Sequence, residues 1–272
     1  MSFTERQDAI GTPERRGEPV PQPSPSRQPP PAPRPEQRPP WSQFRGTYGL
    51  IAFTAAIFVI QYAVQSLTGT DLLLEWGAKS RTEILQGQLW RFITPVFLHV
   101  SIPHVFVNMY SLYAIGPAVE RFFGTPRFLA IYLLCGFSGV IFSLAFSPYP
   151  SAGASGSIFG LLGALAVFLY RHRELFGRFG RLQLRQLIIV ALLNLALGLM
   201  PGIDNWGHLG GLLAGSGLAW TVGPSLKVIE VAPGQGRLID QRPWRSIGGS
   251  LLIAAGLLSA LALAALVLPF GS

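Results

Sequence analysis

Seven apolar runs, each near the roughly 20 residues an α-helix needs to cross hydrocarbon, constrain this chain more than any other feature. They fall at about 48–67, 103–122, 127–147, 155–171, 183–201, 206–223 and 247–269. Inside a bilayer the backbone must satisfy its own hydrogen bonds, so such runs predict helices. Charged residues make up only 12% of the 272, and mean hydropathy is +0.39. Soluble domains carry about 25% charge. The expected class is therefore all-α, a polytopic membrane protein. The fourth and sixth runs are glycine-rich and only modestly hydrophobic, which predicts helices buried among other helices.

A net charge of +8 on a soluble chain would raise nucleic acid as a partner, but here Lys and Arg cluster between apolar runs, where topology explains them. With the N-terminus cytoplasmic, eighteen of the 21 basic residues lie inside, and only Lys79, Arg81 and Arg91 outside. The second, fourth and sixth helices then all run inward from the outer face. That places His104, Ser155 and His208, each near the start of one of these helices, at a similar depth.

The first forty residues hold twelve prolines, from Pro13 to Pro40, and no apolar core, so neither a signal peptide nor an ordered domain is expected there. The domain reading is a disordered cytoplasmic tail over 1–45, a six-helix core over 46–225, a polar, flexible cytoplasmic linker over 226–246, and a seventh helix over 247–272. The stretch from Thr68 to Ile102 is too apolar for a free linker. With Trp76, Ile84, Trp90, Phe92 and Phe97, it predicts a partly inserted element lying against the bundle, with Trp76 and Trp90 at the interface. Cys135, the lone cysteine, excludes a disulfide framework and reads as a packing residue. No cofactor or metal site is expected.

The chemistry centres on Gly153-Ala154-Ser155-Gly156. A serine hydroxyl becomes a nucleophile when a base takes its proton, and the smallest sufficient constellation is a serine with a histidine in hydrogen-bond reach. His208 is the best-placed candidate. Gly207, Gly211 and Gly215 recur every four residues on its helix, and Gly156, Gly160 and Ala164 match them on the serine helix. This small-xxx-small spacing lets two backbones approach closely. Phe159, one turn from Ser155, is placed to stack on His208. No acidic residue occupies the helix interiors, so the expected constellation is a dyad. His104 and Asn108, spaced i, i+4, share one helix face and can supply donors beside the Ser155 N–H for an oxyanion. His99 reads as a tie between the long loop and the bundle, and His172 lies at the cytoplasmic end. A transporter would call for inverted repeats or an acidic coupling residue in the membrane, and the sequence offers neither.

Taken together, these motifs resemble the rhomboid family of intramembrane serine proteases. The matches are Trp90-Arg91 in the first loop, His104-x-x-x-Asn108, Gly116-x-x-x-Glu120-x-x-x-Gly124, Gly153-x-Ser155-Gly156 and His208-x-x-Gly211-x-x-x-Gly215. The resemblance implies a six-helix rhomboid-like bundle with an added seventh helix. It implies Ser155 as nucleophile, His208 as general base, and His104, Asn108 and the Ser155 N–H as the oxyanion hole. Arg91 and Glu120 would be structural ties, of the first loop and of the turn after the second helix. Phe159 departs from the tyrosine often found in the family; stacking survives and a hydroxyl hydrogen bond is lost. The implied substrates are transmembrane protein segments that unwind locally, with a small residue before the cut. The lipid bilayer is the other expected partner, and nucleic acid is not one. The fifth helix, with few small residues, is the expected lateral gate. A bacterial plasma membrane is the expected location. A non-cleaving, client-binding relative is the alternative reading, although such proteins typically lack the serine or the histidine.

Overall fold

The computed structural model describes residues 40–232 and 235–267. Of the tail expected to be disordered over 1–45, residues 1–39 lie outside the described residues, and Pro40–Gln43 form one short helical turn. Seven long helices follow: α1 Arg45–Thr68, α2 Ile102–Phe123, α3 Thr125–Phe146, α4 Ser155–Arg171, α5 Arg173–Leu197, α6 Asn205–Thr221 and α7 Gly248–Val267. The protein is an all-α polytopic membrane bundle of six helices plus a seventh. Helices α1, α3, α5 and α7 are long and apolar enough on their own to cross a membrane. Helices α4 and α6, at 17 residues each, are shorter and buried among the others.

Glycine determines how close the central helices come. A Cβ built on Gly211 would overlap Gly156 O, and one on Gly215 would overlap Gly160 O. Gly139 of α3 is confined less severely, with Gly207 O 2.8 Å from where its Cβ would stand. Gly160 leaves the space that Cys135 fills, and Cys135 has no exposed surface. In hydrocarbon no hydrophobic force draws helices together, so close van der Waals contact through small residues does the holding. Around this seam Phe128, Ile131, Tyr132 and Leu144 of α3 and Leu161 of α4 are fully buried.

Buried polar groups staple the rim of the bundle. Glu120 Oε1 accepts from Gly46 N and Thr125 Oγ1, at 2.8 and 2.6 Å, while Oε2 accepts from Thr47 N and Thr47 Oγ1. One carboxylate thus ties the start of α1 to the α2–α3 turn. Gln61 of α1, 2% exposed, donates to Asp71 Oδ2 and His99 O at 2.6 and 2.7 Å, holding both ends of the first loop.

That loop is folded. Short helices at Leu72–Gly77 and Arg81–Leu85 lead into 3₁₀ turns at Leu89–Phe92 and Thr94–Phe97. Arg91 pins them by donating to Gln88 Oε1, Ala78 O and Glu75 O. Trp90 stacks on Trp76 with ring centroids 6.3 Å apart, both side chains exposed.

Three expectations change. Helix α5 begins at Arg173 rather than near 183, because the arginine-rich stretch is itself helical, interrupted at Gly177, where φ is +53°. The linker is not free: β1 Leu226–Ala232 and β2 Gln235–Asp240 form an antiparallel hairpin with Val228 opposite Leu238. Asp240 pairs with Arg127 at 2.7 Å, and Arg127 also donates to Arg242 O. Burial pushes the Asp240 carboxyl up, but the Arg127 guanidinium and the N–H groups of Arg242 and Ser225 together hold it below its usual range. His172 accepts from Leu226 N at 3.0 Å through Nε2, and burial keeps its pKa below 6.5. Helix α7 is more than an appendage, since Ala262 and Ala265 pack with Val140, Ile141 and Leu144 of α3. Arg81 donates to Ala265 O and Leu266 O at 2.9 and 3.0 Å, placing a cation on the negative end of the α7 dipole.

Candidate active site

Ser155 opens α4, directly after Ala154. Helix N-termini leave their first N–H groups without intrahelical partners and carry partial positive charge, so a hydroxyl here sits among donors. The approach to it is strained in a way only glycine tolerates. Gly153 has φ +142°, and its N–H donates to Pro95 O at 2.8 Å. A Cβ at Gly153 would stand 2.7 Å from His104 Cε1 and 2.9 Å from His104 Nε2, with Asn108 Nδ2 3.8 Å away. The missing side chain is the room through which the α2 imidazole and amide reach the chain next to Ser155.

On the opposite side, His208 lies one turn into α6. Asp204 caps that helix by accepting from Gly207 N at 3.0 Å. The Gly211–Gly156 approach draws the turn against α4, and His208 Nε2 comes 2.9 Å from Ser155 Oγ. Phe159 stacks on the imidazole with centroids 4.4 Å apart and planes 12° from parallel, fixing the ring's plane. Among the described residues His208 Nδ1 has no hydrogen-bond partner. A Ser155 hydroxyl donating to Nε2 requires the tautomer with hydrogen on Nδ1.

Every residue singled out in the sequence near the serine comes together here: Gly153, Ser155, Gly156 and Phe159 from α4 and its approach, His208 and Gly211 from α6, His104 and Asn108 from α2. Gly215 continues the α4–α6 seam one turn further on, while Trp90, Arg91 and Glu120 lie in the loop and turn ties, away from the hydroxyl. His99 is fully buried, and its Nε2 accepts from Ala154 N at 3.4 Å, with the ring 5.0 Å from that of His104. It therefore bears directly on the residue before Ser155. Asp204 was not singled out in the sequence. It lines the cleft beside Ser155 with Pro95, Val96, Gly136 and Gly207. An acidic residue three positions before Gly207, at the head of an apolar run, was its N-cap signal.

This arrangement can move a proton from a hydroxyl to an imidazole within one hydrogen bond. It also offers His104, Asn108 and the first N–H groups of α4 to a developing negative charge. A family model described as Rhomboid domain matches residues 86–225, just over half of the chain. The rhomboid protease GluP of Bacillus subtilis is 44% identical over 171 residues, covering 62% of this chain and 33% of GluP. RHOMBOID-like protein 6, mitochondrial, of Arabidopsis thaliana is 40% identical over 148 residues, covering 54% of this chain and 48% of its own length. RHOMBOID-like protein 2 of the same plant is 39% identical over 143 residues, covering 52% of this chain and 44% of that protein. The chain thus spans between a third and a half of the relatives it matches. With the matched stretch running through the elements that carry His104, Ser155 and His208, the chain belongs to the rhomboid family.

Proposed function

We propose that this protein is an intramembrane serine endopeptidase that cleaves peptide bonds in or near the transmembrane segments of other membrane proteins. The observation that carries the reading is the 2.9 Å contact between Ser155 Oγ and His208 Nε2, with the imidazole stacked on Phe159. In the reaction His208 accepts the Ser155 proton at Nε2 as Oγ attacks the scissile carbonyl. His104, Asn108 and the Ser155 N–H stabilise the oxyanion. His208 then protonates the leaving amine; a water entering from the outer face is deprotonated by the same nitrogen as it attacks the acyl carbon, and that proton passes to Ser155 Oγ as the Oγ–acyl bond breaks and the carboxylic acid leaves. Each oxyanion donor of this kind is worth about 10²–10³ in kcat.

A helical substrate hides its carbonyls in its own hydrogen bonds, so the segment must unwind before one reaches Ser155. Substrates with helix-destabilising residues near the cut follow from that requirement, and the resemblance to the family adds a small residue just before it. Helix α5 is assigned as the element that yields to admit them, since of its 25 residues only Gly180 and Ala191 are buried. The assignment places the catalytic core over 46–225, in a bacterial plasma membrane with the N-terminus cytoplasmic. The basic residues of the tail and of the stretches around Arg171–Arg185 and Lys227–Arg245 support that orientation.

The test is cleavage of a transmembrane substrate by the purified protein in liposomes, against Ser155→Ala and His208→Ala. Both variants are expected to lose at least about 10⁴-fold in kcat with folding retained. Equal cutting by Ser155→Ala would overturn the nucleophile. A wild type that binds several membrane substrates and cuts none would establish client binding instead.

A further inference from the structure

Lys79 is a cation in a place that calls for explanation. It is 1% exposed, and its Nζ donates to three main-chain carbonyls, Ser143 O, Ser147 O and Tyr149 O, at 3.3, 3.1 and 2.5 Å. Ser147 and Tyr149 lie just beyond α3, where the helix no longer supplies carbonyls with partners, while Ser143 O, in its last turn, also accepts from Ser147 N at 2.9 Å. The main chain of Lys79 is engaged as well. Its N–H donates to Ser151 O at 2.8 Å, and Ser151 N donates back to Lys79 O at 3.2 Å, forming an isolated antiparallel bridge. The bridge ends two residues before Gly153 and four before Ser155. Ser151 is held a third time, Oγ to Oγ with Ser143 at 3.2 Å.

We propose that Lys79 is a positioning residue for the reaction assigned to Ser155. Its ammonium and its backbone together hold segment 147–153, so that Gly153 keeps its left-handed conformation and Ser155 stays in register with His208. The inference rests on the Ser155–His208 reading for its catalytic part and on the geometry alone for the hold. Arg91, by donating to Ala78 O, fixes the neighbouring peptide, so the first loop reaches the serine through Lys79.

The charged groups around the ammonium are few. Asp204, from the start of α6, favours its charged form, and Arg81 of the same loop lies on the adjacent carbonyl Leu144 O at 3.5 Å. Burial outweighs Asp204 and lowers the Lys79 pKa to about 8. Because this value lies below that of an exposed lysine, the closed arrangement binds fewer protons than the open one above about pH 8, so raising the pH relieves the burial of the charge and strengthens the hold.

The experiment compares the full-length wild type with Lys79→Met and Lys79→Arg in liposomes. Hydrogen exchange of the 147–156 amides is measured first, with cleavage kinetics from about pH 6 to 10 beside it. Lys79→Met is expected to exchange faster at 147–156 than the wild type while 207–218 is unchanged. It should lose about tenfold or more in kcat with KM within about twofold, as a displacement near 1 Å of a reacting group does. Lys79→Arg, charged at every pH used, should retain slow exchange and lose the wild type's added protection of 147–156 above about pH 8. Unchanged exchange in Lys79→Met overturns the hold. Unchanged kcat with faster exchange overturns the catalytic consequence. If exchange responds as expected while Ser155→Ala cuts like wild type, the hold stands and it is the assignment of Ser155 that falls.

Discussion

Helices α5 and α6 both flank α4, and glycine plays opposite parts in them. In α6, Gly211 and Gly215 are there for space, with Gly156 O and Gly160 O where their side chains would be. In α5, Gly177 is there for conformation: its φ is +53° and a Cβ on it would meet nothing within 4 Å. The seam that joins serine to histidine is built backbone on backbone. Helix α5 turns Leu192, Leu193 and Leu197 outward, each more than half exposed. The difference shows where the molecule spends its close packing. It is concentrated on the two helices whose relative placement sets a 2.9 Å contact, and withheld from the one assigned to move.

The strongest way to break that contrast is Gly211→Leu, which puts a branched side chain where Gly156 O sits. Loss of the folded bundle is expected in thermal unfolding, and Gly211→Ala should lose about 3 kcal/mol. An unperturbed Gly211→Ala would mean the seam can open. Glu120→Ala comes next, because it strands the buried donors Gly46 N, Thr47 N and Thr47 Oγ1. About 3 kcal/mol of destabilisation is expected by denaturant unfolding, with Glu120→Gln retaining part of it. The third test bears on mobility. A disulfide engineered from α5 to α2 should leave stability intact and reduce cleavage of a membrane substrate by about tenfold or more, reversed by reductant. Unchanged cutting removes α5 as the entrance. The smallest effect is expected at Leu192, 61% exposed, where Leu192→Ala should change stability by no more than about 0.5 kcal/mol. A large loss there would show that α5 is packed against something after all.

The helices were legible because apolar length is a strong signal, and six of the seven begin and end within a few residues of the apolar runs. Helix α5 was misplaced at its start because arginines carry good helix propensity without the apolar signature. The hairpin after α6 was missed because strands of mixed polarity, such as Lys227-Val228-Ile229-Glu230, look like a linker in a chain read for membrane runs. At the site, Ser155, His208 and Phe159 were readable from helical spacing plus the glycine periodicity that brings two helices together. Lys79 was not, since its role lies in three carbonyls contributed by residues 64 to 70 positions away, which no local pattern encodes. His99 was placed as a loop tie, yet its contact with Ala154 N needed the fold.

The glycine seam also has a thermal consequence. Hydrophobic cores weaken on cooling because their stability comes from releasing water, which carries a large heat-capacity change. The α4–α6 contact releases none, being made in hydrocarbon from dispersion and from carbonyls set against Cα hydrogens. Its strength therefore changes little as temperature falls, and the distance between hydroxyl and imidazole is kept in the cold by contacts that need no solvent to enforce them.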